Sequence, residues 1–305
     1  MSGKNVTEVV AAGLEGIARA ARCLESGGLV AVPTETVYGL AARADRPEAV
    51  ARIYAAKGRP DFNPLIVHVA GLTQAERLAD ISSLARTLAE AHWPGPLTLV
   101  LPRRKDAGLA EAVTAGLPTI ALRAPDHPVM RALLERCDFP LAAPSANRSG
   151  FISPTTAAHV LASLDGRIDM VLDGGATSAG VESTIVAVRA DGSVEELRPG
   201  PVQVGTRGAA RGIEAPGQLA SHYAPGKPVR LNALAAQDGE FLIGFGAVAG
   251  DVTLSASGDC TEAAARLYAC LHEGARAAAP RIAVAPVPEH GVGRAINDRL
   301  RRAAA

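Results

Sequence analysis

The feature that most restricts how this chain can fold is a series of short apolar runs separated by turn-forming residues. Runs of this length are typical of buried β-strands. They occupy residues 29–32, 65–69, 97–101, 119–122, 141–143, 170–172 and 184–188. Helical patterns lie between several of them, at residues 47–56, 81–91, 128–136 and 155–164. This alternation predicts an α/β sheet with helices on its faces, and runs that follow each other without a helix predict some antiparallel pairing, hence a mixed sheet.

Two further helical signals lie at the ends of these patterns. Residues 6–26 carry apolar side chains at helical spacing as far as Gly27-Gly28, which predicts an amphipathic N-terminal helix. The helix at 155–164 is expected to be capped near Ser153-Pro154, because serine is a favoured cap and proline is tolerated in the first turn.

The composition changes after residue 198. Prolines and glycines are frequent from there to residue 227, which is the composition of a linker. Beyond it, strand-like runs at 229–232, 241–245 and 282–285 are interspersed with helical patterns at 261–274 and 292–302. We therefore predict a larger domain over residues 1–204, a linker or lid over 205–227 and a small Rossmann-like α/β domain over 228–305.

Composition limits the class of protein. A chain of 305 residues with 48% hydrophobic content can bury a substantial core, and its formal net charge of zero disfavours a protein that coats nucleic acid. No apolar stretch approaches the ~20 residues of a membrane span. The N-terminus shows no secretory signal, and the 4 cysteines form no C-x-x-C pair. The chain is expected to be cytoplasmic, with reduced thiols and no metal site of its own.

Two polar clusters suggest an anion site. Lys57-Gly58-Arg59 follows a predicted helix and precedes the strand at 65–69, while Ser145-Ala146-Asn147 follows the strand at 141–143. Two cations beside a hydroxyl and an amide suit a polyanionic ligand such as a nucleoside triphosphate. Each cluster is short enough to occur by chance, so the interpretation depends on the other polar segments.

Familiar nucleotide and hydrolase signatures are missing. There is no G-x-x-x-x-G-K-[ST], no G-x-S-x-G and no H-E-x-x-H. The nearest approach to a dinucleotide fingerprint is at residues 244–250, where the glycine spacing is wrong. A nucleotide site in this chain must be built in another way.

Other polar residues lie at the boundaries of predicted strands. The segment Thr34-Glu35-Thr36 and the residue His68 have structural explanations, as an ordinary capped turn and a core histidine. Arg123 is harder to explain structurally, because a guanidinium at the end of an apolar strand requires an anionic partner. Glu182-Ser183, which precedes the strand at 184–188, is also harder to explain structurally.

Taken together, these segments closely resemble one known family. The matching blocks run in a fixed order over residues 27–202: GGLVAVPTETVYGL, AKGRPDFNPLIVHV, WPGPLTLVL, VTAGLPTIALR, PLAAPSANRSG, GVESTIVAV and LRPGPV. This order resembles the threonylcarbamoyl-AMP synthase (YrdC-like) family. The segment APGQLASHYAP at 215–225 and residues 291–302 are similar to the linker and the C-terminal end of the family's long, two-domain form.

The resemblance implies a fold and a reaction. The fold is a YrdC-like twisted mixed sheet whose concave face holds the site, with the small C-terminal domain attached. The reaction converts L-threonine, bicarbonate and ATP to threonylcarbamoyl-AMP and pyrophosphate, the first step in forming threonylcarbamoyladenosine in tRNA. Mg²⁺ would be carried by the ATP phosphates. Downstream tRNA threonylcarbamoyl-transferase proteins would use the product, and weak contact with tRNA itself is left open.

The resemblance also implies roles for individual residues. Arg123 would bind the threonine carboxylate. The triphosphate would be held by the catalytic set Lys57, Arg59, Ser145 and Asn147. The rest of the ATP site would comprise Asn63, Thr119, Ala143, Arg198 and Tyr223. The other threonine-binding residues would be Thr36, His68 and Ser183.

Two alternatives come from other functional classes. One is a non-catalytic YrdC-like protein that only binds RNA or nucleotide, although such a protein does not need residues that bind threonine. The other is the carbamoyl-transfer module of hydrogenase maturation proteins, which carry cysteine-rich zinc modules that this cysteine spacing excludes.

Overall fold

The computed structural model describes residues 6–207, 212–218 and 221–305. The strands are β1 Glu8–Ala11, β2 Val30–Val32, β3 Gly39–Arg43, β4 Ile66–His68, β5 Leu97–Pro102, β6 Thr119–Arg123, β7 Leu141–Ala142, β8 Met170–Asp173, β9 Thr184–Val188, β10 Val194–Arg198, β11 Thr206–Arg207, β12 Val229–Arg230, β13 Glu240–Gly244, β14 Val252–Thr253 and β15 Arg281–Val284. The helices are α1 Leu14–Glu25, α2 Pro47–Lys57, α3 Leu72–Ala75, α4 Ser83–His92, α5 Pro128–Arg136, α6 Ala157–Leu164, α7 Cys260–Arg276 and α8 Gly293–Ala303, with a 3-10 turn at Glu111–Val113.

Within the part of the chain that the structure describes, the strands form two sheets. In these residues the larger sheet has 11 strands in the order β1-β8-β2-β3-β7-β4-β6-β5-β9-β10-β11, and the smaller has the order β12-β15-β13-β14. The larger sheet is mixed, since β4 and β6 are parallel whereas β5 and β6 are antiparallel. All pairs in the smaller sheet are parallel, as in Rossmann-like folds. The predicted fold class is confirmed.

Both faces of the larger sheet are covered, and the alternation of side chains along each strand separates two cores. In β2 and the residue before it, Leu29 and Ala31 pack into one core with Leu99, whereas Val30 and Val32 pack into the other with Leu24 of α1. Strand residues are therefore apolar at successive positions, which is why these strands appear in the sequence as continuous runs.

The N-terminal helix prediction is wrong over its first residues. Glu8–Ala11 forms β1, which pairs in parallel with β8, Glu8 lying opposite Met170, and only Leu14–Glu25 is helical. Val9 and Val10 fit a helical or an extended period equally well, and the pairing with β8 selects the extended conformation. The cap predicted near Ser153-Pro154 for the helix at 155–164 is also wrong. This helix is α6, and the side chain of Thr156 accepts its N-terminal hydrogen bond.

Several short elements lie outside the predicted ones: α3, β3, β10, β11 and β14. β11 falls inside the segment predicted to be a linker and pairs with β10, Glu195 lying opposite Thr206, so that segment begins with regular structure. Within the described residues, no helix is long and apolar enough to cross a membrane.

Candidate active site

One face of the larger sheet carries a row of polar side chains between the areas covered by helices. The register places Ile66 opposite Ala121 and His68 opposite Arg123, so all four side chains point to the same face. A cavity of about 560 Å³, including the space at its open mouth, lies on this face. Its lining residues come from the sheet, from the loops around it and from the proline- and glycine-rich segment: Thr34, Thr36, Val37, Gly39, Arg59, Ile66, His68, Arg123, Ala143, Pro144, Ser145, Glu182, Ser183, Arg198, Pro216, Gly217, His222 and Tyr223.

Lys57 and Arg59 lie at the end of α2, where Gly58 adopts the left-handed conformation (φ 60°) that ends the helix. The Lys57 Nζ donates to the backbone oxygens of Ser145 (2.6 Å) and Asn147 (2.5 Å). Arg59 donates to the backbone oxygens of Asn63 (3.1 Å) and Pro64 (2.8 Å). Within the described ranges, neither cation is paired with a carboxylate.

Burial makes it costly in free energy to keep positive charge on both Lys57 and Arg59. Removal from water, and then the positive charge of Arg59, lower the pKa of Lys57 well below its ordinary value. Burial also lowers the pKa of Arg59 to about 10. Two buried cations that pair with no carboxylate among the described residues form a region that a polyanion would stabilise.

The predicted ATP residues do not all face the cavity. Arg59, Ala143, Ser145, Arg198 and Tyr223 line it. Lys57, Asn63 and Asn147 are buried beside it, and Thr119, at the start of β6, is not part of the lining. The Asn147 amide donates to the backbone oxygens of Arg148 (3.0 Å) and Phe151 (2.7 Å), so in this state its side chain holds the loop after Ser145.

The predicted threonine residues all line the cavity. Arg123 donates from Nη1 to Thr36 Oγ1 (2.9 Å) and from Nε to the Gly95 oxygen (3.2 Å). Its Nη2 lies 2.5 Å from Glu35 Oε1, an ion-pair distance without the angles of a hydrogen bond. Arg123 thus already has one carboxylate neighbour in the chain.

His68 and Ser183 complete this side. His68 Nδ1 has no hydrogen-bond partner among the described residues. Burial, and then the charge of Arg123, lower the pKa of His68 to about 3, so its ring is neutral at physiological pH. Ser183 Oγ lies 2.8 Å from Thr98 Oγ1 and accepts from Arg198 Nη2 at 3.1 Å.

The proline- and glycine-rich segment forms one wall of the cavity. Gly217 (φ 81°) has no room for a Cβ, which would lie 2.9 Å from Arg198 Cδ and 3.1 Å from the Tyr223 hydroxyl. Tyr223 is almost fully buried, and the ring of His222 meets its edge with centroids 4.1 Å apart. The segment therefore contributes side chains to the site.

Several lining residues are not among the predicted site residues, notably Thr34, Pro144 and Glu182. Each is adjacent to a predicted site residue or two positions from one, so proximity in sequence was the available signal. Glu182 stands out because its carboxylate is buried and accepts from Ser153 Oγ (2.6 Å), the Tyr268 hydroxyl (2.8 and 3.0 Å) and Arg299 Nε (2.9 Å).

Acid unfolding tests the Glu182 ion pair. Burial alone would raise the pKa of Glu182, but the guanidinium groups of Arg299 and Arg198 and the hydrogen bonds lower it from 4.5 to about 2. Its stabilising contribution is therefore complete above pH 4.5 and is lost as the pH falls towards 2. We expect Glu182→Gln to reduce the pH dependence of the unfolding free energy over this range, measured by denaturant titration. The control is the exposed Glu289→Gln, and equal slopes for wild type and Glu182→Gln would contradict the assignment.

Comparison with known proteins identifies the family. Residues 22–200 match a family model of the Sua5, YciO and YrdC proteins described as telomere recombination, and residues 185–305 match the threonylcarbamoyl-AMP synthase C-terminal domain. A threonylcarbamoyl-AMP synthase of Bacillus subtilis is 40% identical over 98% of this chain and 96% of its own. The chain belongs to the threonylcarbamoyl-AMP synthase family. One from Pyrococcus abyssi is 39% identical over 93% of this chain and 92% of its own.

Solved structures agree with this assignment. A crystal structure of P. abyssi Sua5 complexed with L-threonine matches with a TM-score of 0.88 and 36% identity, over 98% of this chain and 97% of that one. The family resemblance and the expectation of an enzyme of this synthase class are confirmed, and the non-catalytic alternative is not favoured. Full-length HypF matches at 22% identity and a TM-score of 0.54 over 60% of this chain, which shows a shared fold alone.

Proposed function

We propose that this cavity performs the reaction of the threonylcarbamoyl-AMP synthase family, converting L-threonine, bicarbonate and ATP to threonylcarbamoyl-AMP, pyrophosphate and water. The observation that carries the proposal is the presence of two chemically different ends in one cavity. One end has Arg59 and Ser145 in its lining, with Lys57 buried beside it and hydrogen-bonded to the Ser145 backbone oxygen. The other has the guanidinium of Arg123, which donates to the Thr36 hydroxyl, and the hydroxyl of Ser183 in the same lining. The first suits a triphosphate and the second an amino acid.

The chemistry asks for alignment and charge neutralisation. The threonine carbamate is an anion whose oxygen attacks the α-phosphate, with pyrophosphate leaving in line. Lys57 and Arg59 would stabilise the charge that develops as pyrophosphate departs. His68 is neutral, so it would serve as a hydrogen-bonding group near the threonine rather than as a positive charge.

The metal remains a prediction. Among the described residues, no cluster of His, Cys, Asp or Glu could hold a metal ion. The groups at the triphosphate end are cations and hydroxyls, and the one carboxylate in the lining, Glu182, is occupied by Arg299, Tyr268 and Ser153. This donor set does not suit a protein-held Mg²⁺, and it leaves the ion to the ATP phosphates.

The wider context follows from the product. Threonylcarbamoyl-AMP is an activated carbamoyl donor, so proteins that transfer the group to a tRNA adenosine are its expected consumers.

Three further points also stay predictions: the division into residues 1–204, 205–227 and 228–305, the cytoplasmic location and weak contact with tRNA. So does the role of 205–227 as a lid, although two observations support it. Four of its residues, Pro216, Gly217, His222 and Tyr223, line the cavity, and a P. abyssi relative was studied with an adjacent His–Tyr pair replaced by alanine.

The direct test is reconstitution with purified components. Incubation of the protein with ATP, bicarbonate and labelled threonine should give pyrophosphate and labelled threonylcarbamoyl-AMP in equal amounts. Omission of either threonine or bicarbonate should stop formation of the adenylate. Nucleotide binding without any threonine-dependent pyrophosphate release would instead support the binding-only alternative.

Amino-acid selectivity gives a finer test. A site whose buried hydroxyls hydrogen-bond the substrate rejects an analogue without a hydroxyl by about 10⁴-fold, whereas a pocket that measures size alone discriminates far less. Valine has nearly the shape of threonine but lacks its hydroxyl. We expect kcat/KM for threonine to exceed that for valine by at least about 100-fold. Similar values would show that Thr36 and Ser183 do not recognise the hydroxyl, and serine is the control that keeps it.

A further inference from the structure

Helices α7 and α8, which pack on the smaller sheet, reach the wall of the active site. Tyr268 of α7 and Arg299 of α8 supply two of the three side chains that donate hydrogen bonds to Glu182 among the described residues. All three groups are buried, and Glu182 immediately precedes the cavity residue Ser183. The network thus joins the C-terminal helices to the segment just before β9, which carries the predicted threonine-binding residue Ser183.

Arg299 contacts more than one segment of that wall. It is fully buried, and its Nη1 donates to the Pro199 oxygen at 2.7 Å, next to the cavity residue Arg198. Its Cζ lies 5.6 Å from the centre of the Tyr223 ring, and the Tyr268 ring centre lies 5.7 Å from that of Tyr223. One guanidinium therefore touches the segments at Glu182, Pro199 and Tyr223.

The last turn of α8 and the residues that follow it also hold the segment that carries His222 and Tyr223. The His222 backbone N–H donates to the Arg302 oxygen at 3.1 Å, and Ser221 Oγ donates to the Ala305 oxygen at 3.0 Å. On the other side, the Ala224 N–H donates to the Gly150 oxygen at 2.8 Å. Residues 221–224 are thus fixed between α8 and the loop that follows Ser145 and Asn147.

A purely stabilising role does not explain this choice of residues. A buried ion pair contributes little net stability compared with well-packed apolar side chains of the same volume. The adjoining apolar cluster, which combines Leu267 and Ile296 with Val37 and Val181, already joins the two parts of the chain. Glu182, Tyr268 and Arg299 instead give a fixed geometry, since each hydrogen bond sets a direction as well as a distance.

We infer that Tyr268 and Arg299 are positioning residues of the active site, which fix Glu182, the neighbouring Ser183 and the ring of Tyr223 around the bound intermediate. The inference rests on the proposed function and gives α7 and α8 a part in it. If this wall loosens, water reaches the threonylcarbamoyl-AMP. The water oxygen then attacks the phosphorus, and the bond from phosphorus to the carbamate oxygen breaks, which gives AMP and threonine carbamate. The carbamate loses carbon dioxide and returns threonine.

The experiment measures how many pyrophosphate molecules are released for each threonylcarbamoyl-AMP captured, in the full-length protein. Tyr268→Phe removes one hydroxyl and keeps the ring, while Arg299→Lys keeps the charge and loses the planar fork. In both variants this ratio should rise by about 10-fold, the change that corresponds to one lost hydrogen bond to a charged group. The control is Arg301→Gln, because Arg301 lies on the same helix in an exposed pair with Glu289; its ratio should equal that of wild type.

The outcomes are separable. A structural role alone would lower the thermal midpoint and the amount of active protein, and it would leave the ratio of pyrophosphate to captured threonylcarbamoyl-AMP unchanged. An unchanged ratio in Tyr268→Phe therefore overturns the inference. If Arg299→Lys does not fold, Tyr268→Phe decides, because its side chain is nearly isosteric with tyrosine. Failure of the wild-type protein to release pyrophosphate in a threonine-dependent way would overturn the proposed function instead, and it is seen before any variant is made.

Discussion

Replacement of Lys57 or Arg59 by alanine is expected to lower kcat by about 100- to 1,000-fold, the usual cost of removing one preorganised group that stabilises transition-state charge. Both cations are buried and donate to backbone carbonyls, and among the described residues neither pairs with a carboxylate, so their charge is available to an incoming polyphosphate. Pyrophosphate release under saturating ATP and threonine measures the effect. Threonine binding, followed by calorimetry, should change much less.

The matched controls separate charge from structure. Lys57→Met keeps the aliphatic stem and should lose as much activity as Lys57→Ala, because the ammonium group is what matters. Lys105→Ala removes an exposed cation that does not line the cavity and should leave turnover unchanged. Circular dichroism establishes that each variant is folded. Turnover within about twofold of wild type in both Lys57→Ala and Arg59→Ala would remove the basis for a phosphate site at the end of α2.

The sheet could be predicted where local signals agree with the tertiary environment. The span of α5 matches its predicted bounds because Pro128 stands at the first helical position and the apolar residues recur at helical spacing. β10 could not be predicted, since Glu195 and Glu196 give the segment a solvent-exposed pattern. In the fold both are buried, Glu195 against Arg189 of the neighbouring turn and Glu196 against Arg294 of α8, so tertiary partners decide the outcome.

The same reasoning applies to the site. The residue types around Lys57, Ser145 and Arg123 show which chemistry is present, and the family resemblance supplies their roles. What the sequence does not show is how each charge is balanced in the folded chain. Glu35 is next to Thr36 in sequence, yet its pairing with Arg123 depends on the register of β4 and β6 beside the loop after β2. The buried negative charge of Glu182 is balanced by the guanidinium of Arg299, which lies 117 positions away in the sequence.

The second large effect is expected at Arg123, through loss of the threonine carboxylate contact. A charge-assisted pair of hydrogen bonds contributes about 3 kcal/mol, so Arg123→Gln should lower kcat/KM for threonine by at least about 100-fold. Arg123→Lys should recover only part of this, because lysine keeps the charge but lacks the planar fork that now reaches Thr36 and the Gly95 oxygen.

The pairing with Glu35 makes the Arg123 experiment more specific. Since Glu35 already lies 2.5 Å from Arg123, the guanidinium is held in place before threonine arrives, and the substrate carboxylate meets a preorganised donor. ATP binding without threonine, measured by calorimetry, should therefore be unchanged in Arg123→Gln, and the exposed Arg131→Gln on α5 should behave as wild type in both assays. An equal loss of ATP binding would mean that Arg123 supports the whole cavity, and an unchanged KM for threonine would place the amino acid elsewhere.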